Sequence, residues 1–195
     1  MIMQLVTVSL GYLLASNLAK FNWGEFGWLL VSTALVASGA GALNHYMERE
    51  SDAHMRRTEN RPLPTGIIQP VSAFIFGILL VSVGIWIAFQ YVQFWTAFLS
   101  LLTVFTYLMV YTPLKRLTWL NTFVGAVPGA LPPVGGWVAV SGHFGWAAWV
   151  LFLILFAWQH PHFYAIAWLY KDDYAKGGFK MLPSEDPTGF ETRVP

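Results

Sequence analysis

The chain has 195 residues, a formal charge of +1, no cysteine, 56% apolar residues and only 11% charged ones. An ordinary soluble domain carries about 25% charged residues, so this composition belongs to the membrane class, and the missing cysteines exclude disulfide frameworks and thiolate metal centres. The lipid bilayer is the expected partner, no nucleic-acid partner is expected, and the expected fold is all-α and polytopic.

Hydropathy predicts six spans, near 2–19, 27–47, 70–89, 94–112, 121–141 and 146–170, each about long enough to cross roughly 30 Å of hydrocarbon. Apolar residues begin at Met1 without a basic leader. A cleavable signal peptide is therefore not expected, and the opening reads as a span shortened by a few residues. Residues 1–183 are expected to form one membrane-embedded domain, with 184–195 a loop leading toward a seventh span.

Span two ends in small residues, Gly39, Ala40, Gly41 and Ala42, which let another helix approach closely. It runs straight into NHYMERESDAHMRRTENRPLPTG at 44–66, where acids and arginines crowd an otherwise almost uncharged sequence. If the helix continues, Asn44, Glu48 and Asp52 fall at i, i+4 and i+8, one face, with a rise of about 6 Å per step. Such a ladder of hard oxygens suits Mg²⁺, which takes one or two protein carboxylates and completes its shell with water and substrate phosphate oxygens. Arg56, Arg57 and Arg61 lie one to three turns further on and offer bidentate contacts to the same phosphates. A metal-bound diphosphate is the implied ligand.

Span four ends in YTPLKR, where Tyr111 and Lys115 are one helical turn apart and both able to reach an anion. An interfacial belt tyrosine and a topology-setting lysine explain the pair equally well. Span five, NTFVGAVPGALPPVGGWVAV, opens on Asn121 and holds Pro128, Pro132 and Pro133 among its glycines. These prolines free backbone groups that hydrocarbon does not satisfy, so the span is expected to face a pocket or pack tightly on a neighbour. Span six carries WQHPHF; Pro161 is expected to bend it and turn His160 and His162 in different directions. Intramembrane imidazoles are functional candidates, with a core histidine bonded to a neighbouring helix as the bland alternative. Asp172 and Asp173 follow at the same membrane face, as ligands for a second ion or as ordinary solvated loop acids.

Threading alternate loops to opposite sides puts Arg49, Arg56, Arg57, Arg61, Lys115, Arg116, Lys171, Lys176, Lys180 and Arg193 on one face, and leaves only Lys20 of the 11 basic residues on the other. By the positive-inside rule that face, and with it the N-terminus, is cytoplasmic.

With these residues assembled, the chain resembles the UbiA-type intramembrane prenyltransferases, and among them the haem O synthases. Their NxxxDxxxD pattern is matched by Asn44, Glu48 and Asp52, with glutamate keeping the middle carboxylate. MRRTENRPLPTG, YTPLKR, NTFVGAVPGALPPVGGW, WQHPHF and DDYAKGGFKMLP agree in order, from GYLLAS at 11–16 to MLP at 181–183. The second pattern, DxxxD, is not matched literally, so only Asp172 and Asp173 carry over. The resemblance implies a nine-helix barrel of which six spans are present, and prenyl transfer by this length of chain is expected to be weak or absent.

It also implies transfer of the farnesyl group of farnesyl diphosphate to the vinyl group of haem b, giving haem o, in a bacterial inner membrane. On this reading Asn44, Glu48 and Asp52 hold Mg²⁺, with Asp172 and Asp173 on a second ion. Arg56, Arg57, Arg61 and Lys115 offset diphosphate charge, Tyr111 donates a hydrogen bond, and His162, with His160 and Asn121, meets substrate. The farnesyl tail is expected in a cavity bordered by spans two, four and five, and haem A synthase is the implied recipient of product. A quinone-precursor or chlorophyll-like acceptor, a small transporter and a non-catalytic assembly factor are the competing readings; acids clustered at one membrane face speak against the transporter.

Overall fold

A computed structural model describes residues 2–16 and 21–181. They are all helical apart from their connections: α1 (Ile2–Ala15), α2 (Trp23–Asp52), α3 (Pro70–Ile87), α4 (Phe94–Phe105), α5 (Thr112–Leu117), α6 (Asn121–Ser141), α7 (Trp146–Leu169) and α8 (Lys171–Lys176). Two π-helical stretches interrupt this pattern. Ala88–Val92 continues α3, and Thr106–Tyr111 joins α4 to α5 in one crossing, Phe94–Leu117. The expected segment 184–195 lies outside the described residues.

Among the described residues five helices are long and apolar enough to cross a bilayer, against the six expected. The difference is α1: its 14 residues rise only about 21 Å, short of the hydrocarbon thickness, and residues 17–19 of the expected span are outside the described set. In the other direction, α2 is longer than expected. Asn22 caps it by accepting hydrogen bonds from the Gly24 and Glu25 amides, and its 30 residues rise about 45 Å, carrying its last turns beyond the apolar layer. Glu48 and Asp52 ride on that overhang.

Helix α6 is the centre of the bundle, with 61% of its span buried against 6% for α7. Glycine makes this possible on the α1 side. A Cβ on Gly136 would strike the Val8 carbonyl, and one on Gly11 the Pro133 carbonyl, so the two backbones touch. The same device joins α2 to α3, where a Cβ on Gly39 would come 2.7 Å from the Gly77 carbonyl oxygen. The prolines of α6 leave carbonyls without a helical donor, and neighbours supply some of what is lost. Pro133 has no N–H for the carbonyl of Gly129, which instead accepts from Gln159 Nε2 of α7 at 3.4 Å. Farther along, Thr96 Oγ1 and Gln93 Nε2 also donate to the carbonyls of Gly135 and Val138, which no proline orphans, and so tie α6 to the start of α4. Span five is thus irregular in sequence yet one α-helix in space, ended by Gly142 at φ 71°.

Helix α7 continues through Pro161. His160 and His162 face different ways because two residues turn a helix by roughly 200°.

A charged cavity at the end of α2

The ladder forms as its spacing predicts, because α2 continues to Asp52. Asn44, Glu48 and Asp52 are 6%, 6% and 1% exposed, and each meets a different partner. Asn44 Nδ2 donates to Thr112 Oγ1 at 3.2 Å, Lys115 Nζ lies 2.8 Å from Glu48 Oε1, and Arg61 Nη1 lies 2.7 Å from Asp52 Oδ2. Thr112 passes its own hydroxyl hydrogen to the Tyr107 carbonyl, tying the foot of α5 to the π stretch above it.

Arg61 reaches Asp52 by a chain reversal rather than along a continued helix. The helix stops at Asp52, whose carbonyl accepts from Thr58 Oγ1 at 2.9 Å, and successive turns over 53–66 fold the arginine back. These residues enclose a cavity of about 190 Å³ lined by Asn44, Glu48, Asp52, Arg57, Arg61 and Lys115, with Met55, Tyr107, Tyr174 and Phe179 closing it. The buried Glu48 and Asp52 face the partly buried Lys115 and Arg61 there, and each of these two ion pairs is one that a ligand must displace or share. One oxygen is left over: Asp52 Oδ1 is buried without a hydrogen-bond partner.

That orphaned oxygen, one further carboxylate on Glu48 and the amide oxygen of Asn44 make a donor set of the kind Mg²⁺ takes when phosphate completes its shell. Among the described residues no three acids or histidines cluster as a self-sufficient metal cage. Asp172 and Asp173 do not join the set. They line a separate cavity of about 230 Å³ with Arg56, Leu169, Tyr170 and Lys176, and Asp173 Oδ2 accepts from the Arg57 backbone amide at 3.3 Å. Arg56 therefore parts company with Arg57 and Arg61. The guanidinium of Arg57 sits 5.1 Å from the Tyr170 ring centroid, on the wall between the two cavities.

Tyr111 stands beside the site. Its ring lies under Lys115 Nζ at 4.6 Å and stacks between Tyr107 (5.8 Å) and Phe163 (6.3 Å), so an aromatic column leads from the cavity toward α7. Gly125 allows it, since a Cβ there would come 2.5 Å from the Tyr111 ring. Asn121 is not brought to the cavity: its amide donates to the carbonyls of Thr118 and Lys180 at 2.7 and 2.8 Å. His160 is packed between Phe123 and Phe156, with Nδ1 2.8 Å from the Phe156 carbonyl, while His162 is exposed and stacked on Trp158 at 4.6 Å. A carbonyl only accepts, so Nδ1 of His160 carries the proton and Nε2, buried without a partner, is the bare nitrogen.

Sequence reasoning passed over Tyr107, Thr112, Met55, Tyr174 and Phe179. Tyr107 was findable, being one turn before Tyr111 on the same face; the others depend on how distant segments meet.

Much of this chain is shared with relatives of known sequence. The chain is 47% identical over 193 residues to the protoheme IX farnesyltransferase of Salinibacter ruber, covering 98% of this chain and 68% of that protein. To the enzyme of the same name from Solibacter usitatus it is 49% identical over 158 residues, 81% of this chain and 54% of the other. The chain thus spans between half and about two thirds of the length of these relatives. Among solved structures, a UbiA homologue from Aeropyrum pernix K1 superposes with a TM-score of 0.76 at 22% identity, over 96% of this chain and 70% of that one. A UbiA homologue from Archaeoglobus fulgidus bound to DMAPP and Mg²⁺ gives 0.75 at 17% identity, over 92% and 63%. These likenesses establish the shared fold, and residues 4–192 match the UbiA prenyltransferase family as a whole. A polytopic helical bundle with a carboxylate ladder at one mouth, matched along nearly its full length, belongs to the UbiA prenyltransferase family.

Proposed function

We propose that the site transfers the farnesyl group of farnesyl diphosphate to the vinyl group of haem b, forming haem o. The observation that carries this reading is the cavity itself. Two buried carboxylates and one buried amide on α2 face Lys115, Arg57 and Arg61 at the polar end of an apolar bundle. A chamber of about 190 Å³ suits a diphosphate head rather than an isoprenoid chain, which needs the larger apolar volumes typical of ligand pockets.

The chemical barrier is separation of an allylic cation from diphosphate, so charge stabilisation at the leaving group is the largest lever. Asn44, Glu48 and Asp52 would hold Mg²⁺, which when bound would supply that stabilisation as a Lewis acid. Lys115, Arg57 and Arg61 bind the remaining phosphate oxygens, with Arg56 at the rim. The carbon–oxygen bond to diphosphate breaks and a vinyl carbon of haem b bonds to the farnesyl C1. The cation left on the acceptor takes water, whose proton passes to solvent. Tyr111 and Tyr107 present ring faces along the path of the first cation, where π density favours positive charge. Tyr111 donates its hydroxyl hydrogen to the diphosphate, and Asp172 and Asp173, at the neighbouring cavity, would hold a second ion. His162 meets the macrocycle from α7, and His160, turned the other way between Phe123 and Phe156, steadies that helix. The chain lies in a bacterial inner membrane with the N-terminus and site loops cytoplasmic, and haem A synthase receives the product.

The names of the relatives support haem b as acceptor over a quinone precursor. Single-turnover reactions containing farnesyl diphosphate, Mg²⁺ and either haem b or 4-hydroxybenzoate, read by product mass, test the choice. Farnesylated haem is the expected product; farnesylated 4-hydroxybenzoate alone would refute it.

A further inference from the structure

The segment after α8 does more than leave the bundle. Gly177 packs flat on Met55, where a Cβ would come 2.9 Å from the sulfur, and Gly178 at φ 72° reverses the chain. The reversal brings the Phe179 amide to the Tyr174 carbonyl at 2.9 Å and turns the ring inward, 4% exposed, as part of the cavity wall. Lys180 is then held by both of its backbone groups. Its N–H donates to the Lys115 carbonyl at 2.7 Å, and its carbonyl accepts from Asn121 Nδ2 at 2.8 Å. Asn121 is 0% exposed and commits its second amide hydrogen to Thr118 at 2.7 Å.

We infer that residues 177–181 form a strap across the diphosphate chamber and that Asn121 is the positioning residue that holds it there. The inference rests on the diphosphate reading above. Its physical content is a coupling. The strap bonds to the backbone of the residue whose ammonium pairs with Glu48, and that ammonium lies 5.7 Å from the Phe179 ring centroid. Asn121 thereby fixes where Lys115 and the ring stand relative to each other while touching neither the ligand nor the reacting atoms. Loss of its amide frees the Lys180 carbonyl, lets Phe179 swing away and admits water to the head-group chamber, which weakens every charge contact inside it.

The test titrates farnesyl thiodiphosphate with Mg²⁺ into the full chain by calorimetry and follows hydrogen–deuterium exchange of the 177–181 peptide. Asn121→Ala is expected to weaken binding about tenfold and to speed exchange of that peptide. Lys180→Pro, which deletes the N–H to Lys115 at an exposed position and leaves Asn121 in place, is expected to weaken binding similarly. It decides the matter if Asn121→Ala does not fold. A merely structural asparagine would lower the folded fraction and leave the affinity of the folded protein unchanged. If wild type binds, Asp52→Ala does not, and both strap variants bind like wild type, the strap is overturned alone. Failure of wild type to bind overturns the diphosphate reading and the strap with it.

Discussion

Lys115 Nζ and Glu48 Oε1 lie 2.8 Å apart across 67 positions of sequence, with their side chains only 11% and 8% exposed. The contact joins the foot of α5 to the overhang of α2 and makes charge balance at the cavity a matter of tertiary structure. Buried pairs of this kind contribute little net stability while intact and cost a great deal when halved.

Glu48→Gln is therefore expected to destabilise the chain by about 3 kcal/mol, because the Lys115 ammonium is left buried without its acid. Adding Lys115→Met should return most of that loss, while analogue binding stays abolished in both variants. Thermal unfolding in detergent alongside calorimetry separates the two effects; a double variant no more stable than Glu48→Gln would contradict the account.

Asp52 presents one oxygen to Arg61 and one to no protein group. Asp52→Ala should abolish Mg²⁺-dependent analogue binding. Arg61→Lys, which loses the planar fork but keeps the charge, should weaken binding about tenfold and leave its metal dependence intact. Binding by Asp52→Ala within tenfold of wild type would remove it from the site.

Gln159 answers a carbonyl that Pro133 cannot. At 3.4 Å the bond is long, so Gln159→Leu is expected to cost about 1 kcal/mol. Pro133→Ala restores an N–H at that turn, so Gln159→Leu should cost less in its background. Additive losses in the double-mutant cycle would show that the side chain serves another purpose.

Neighbouring glycines in α6 should behave oppositely. Gly136→Ala drives a methyl into the Val8 carbonyl of α1 and should cost about 1–3 kcal/mol. Gly135→Ala meets nothing within 4 Å and should be neutral or stabilising by up to about 1 kcal/mol through helix propensity. Unfolding midpoints of the two variants decide it.

The carboxylate ladder was legible in sequence because its geometry is local: three residues four apart on a helix share a face whatever surrounds them. The bundle was legible through hydropathy, and α6 through the oddity of its prolines. What stayed hidden depends on segments far apart in the chain. Nothing local says that Arg61 turns back onto Asp52, or that Asn121 spends its amide on Lys180, 59 positions away. The first crossing was misjudged for a different reason, since hydropathy records how greasy a stretch is and not where its helix ends.

The π stretch Thr106–Tyr111 has a bearing on where Lys115 points. A π turn holds more residues than an α turn, so the crossing contains a surplus residue relative to an uninterrupted α-helix. Each residue swings everything below it by roughly 100°. Trim that surplus and α5 arrives rotated, its lysine aimed past α2 and its threonine out of reach of Asn44. The aim of the cavity's central cation is thus set one turn upstream, by a backbone irregularity that holds no charged residue of its own.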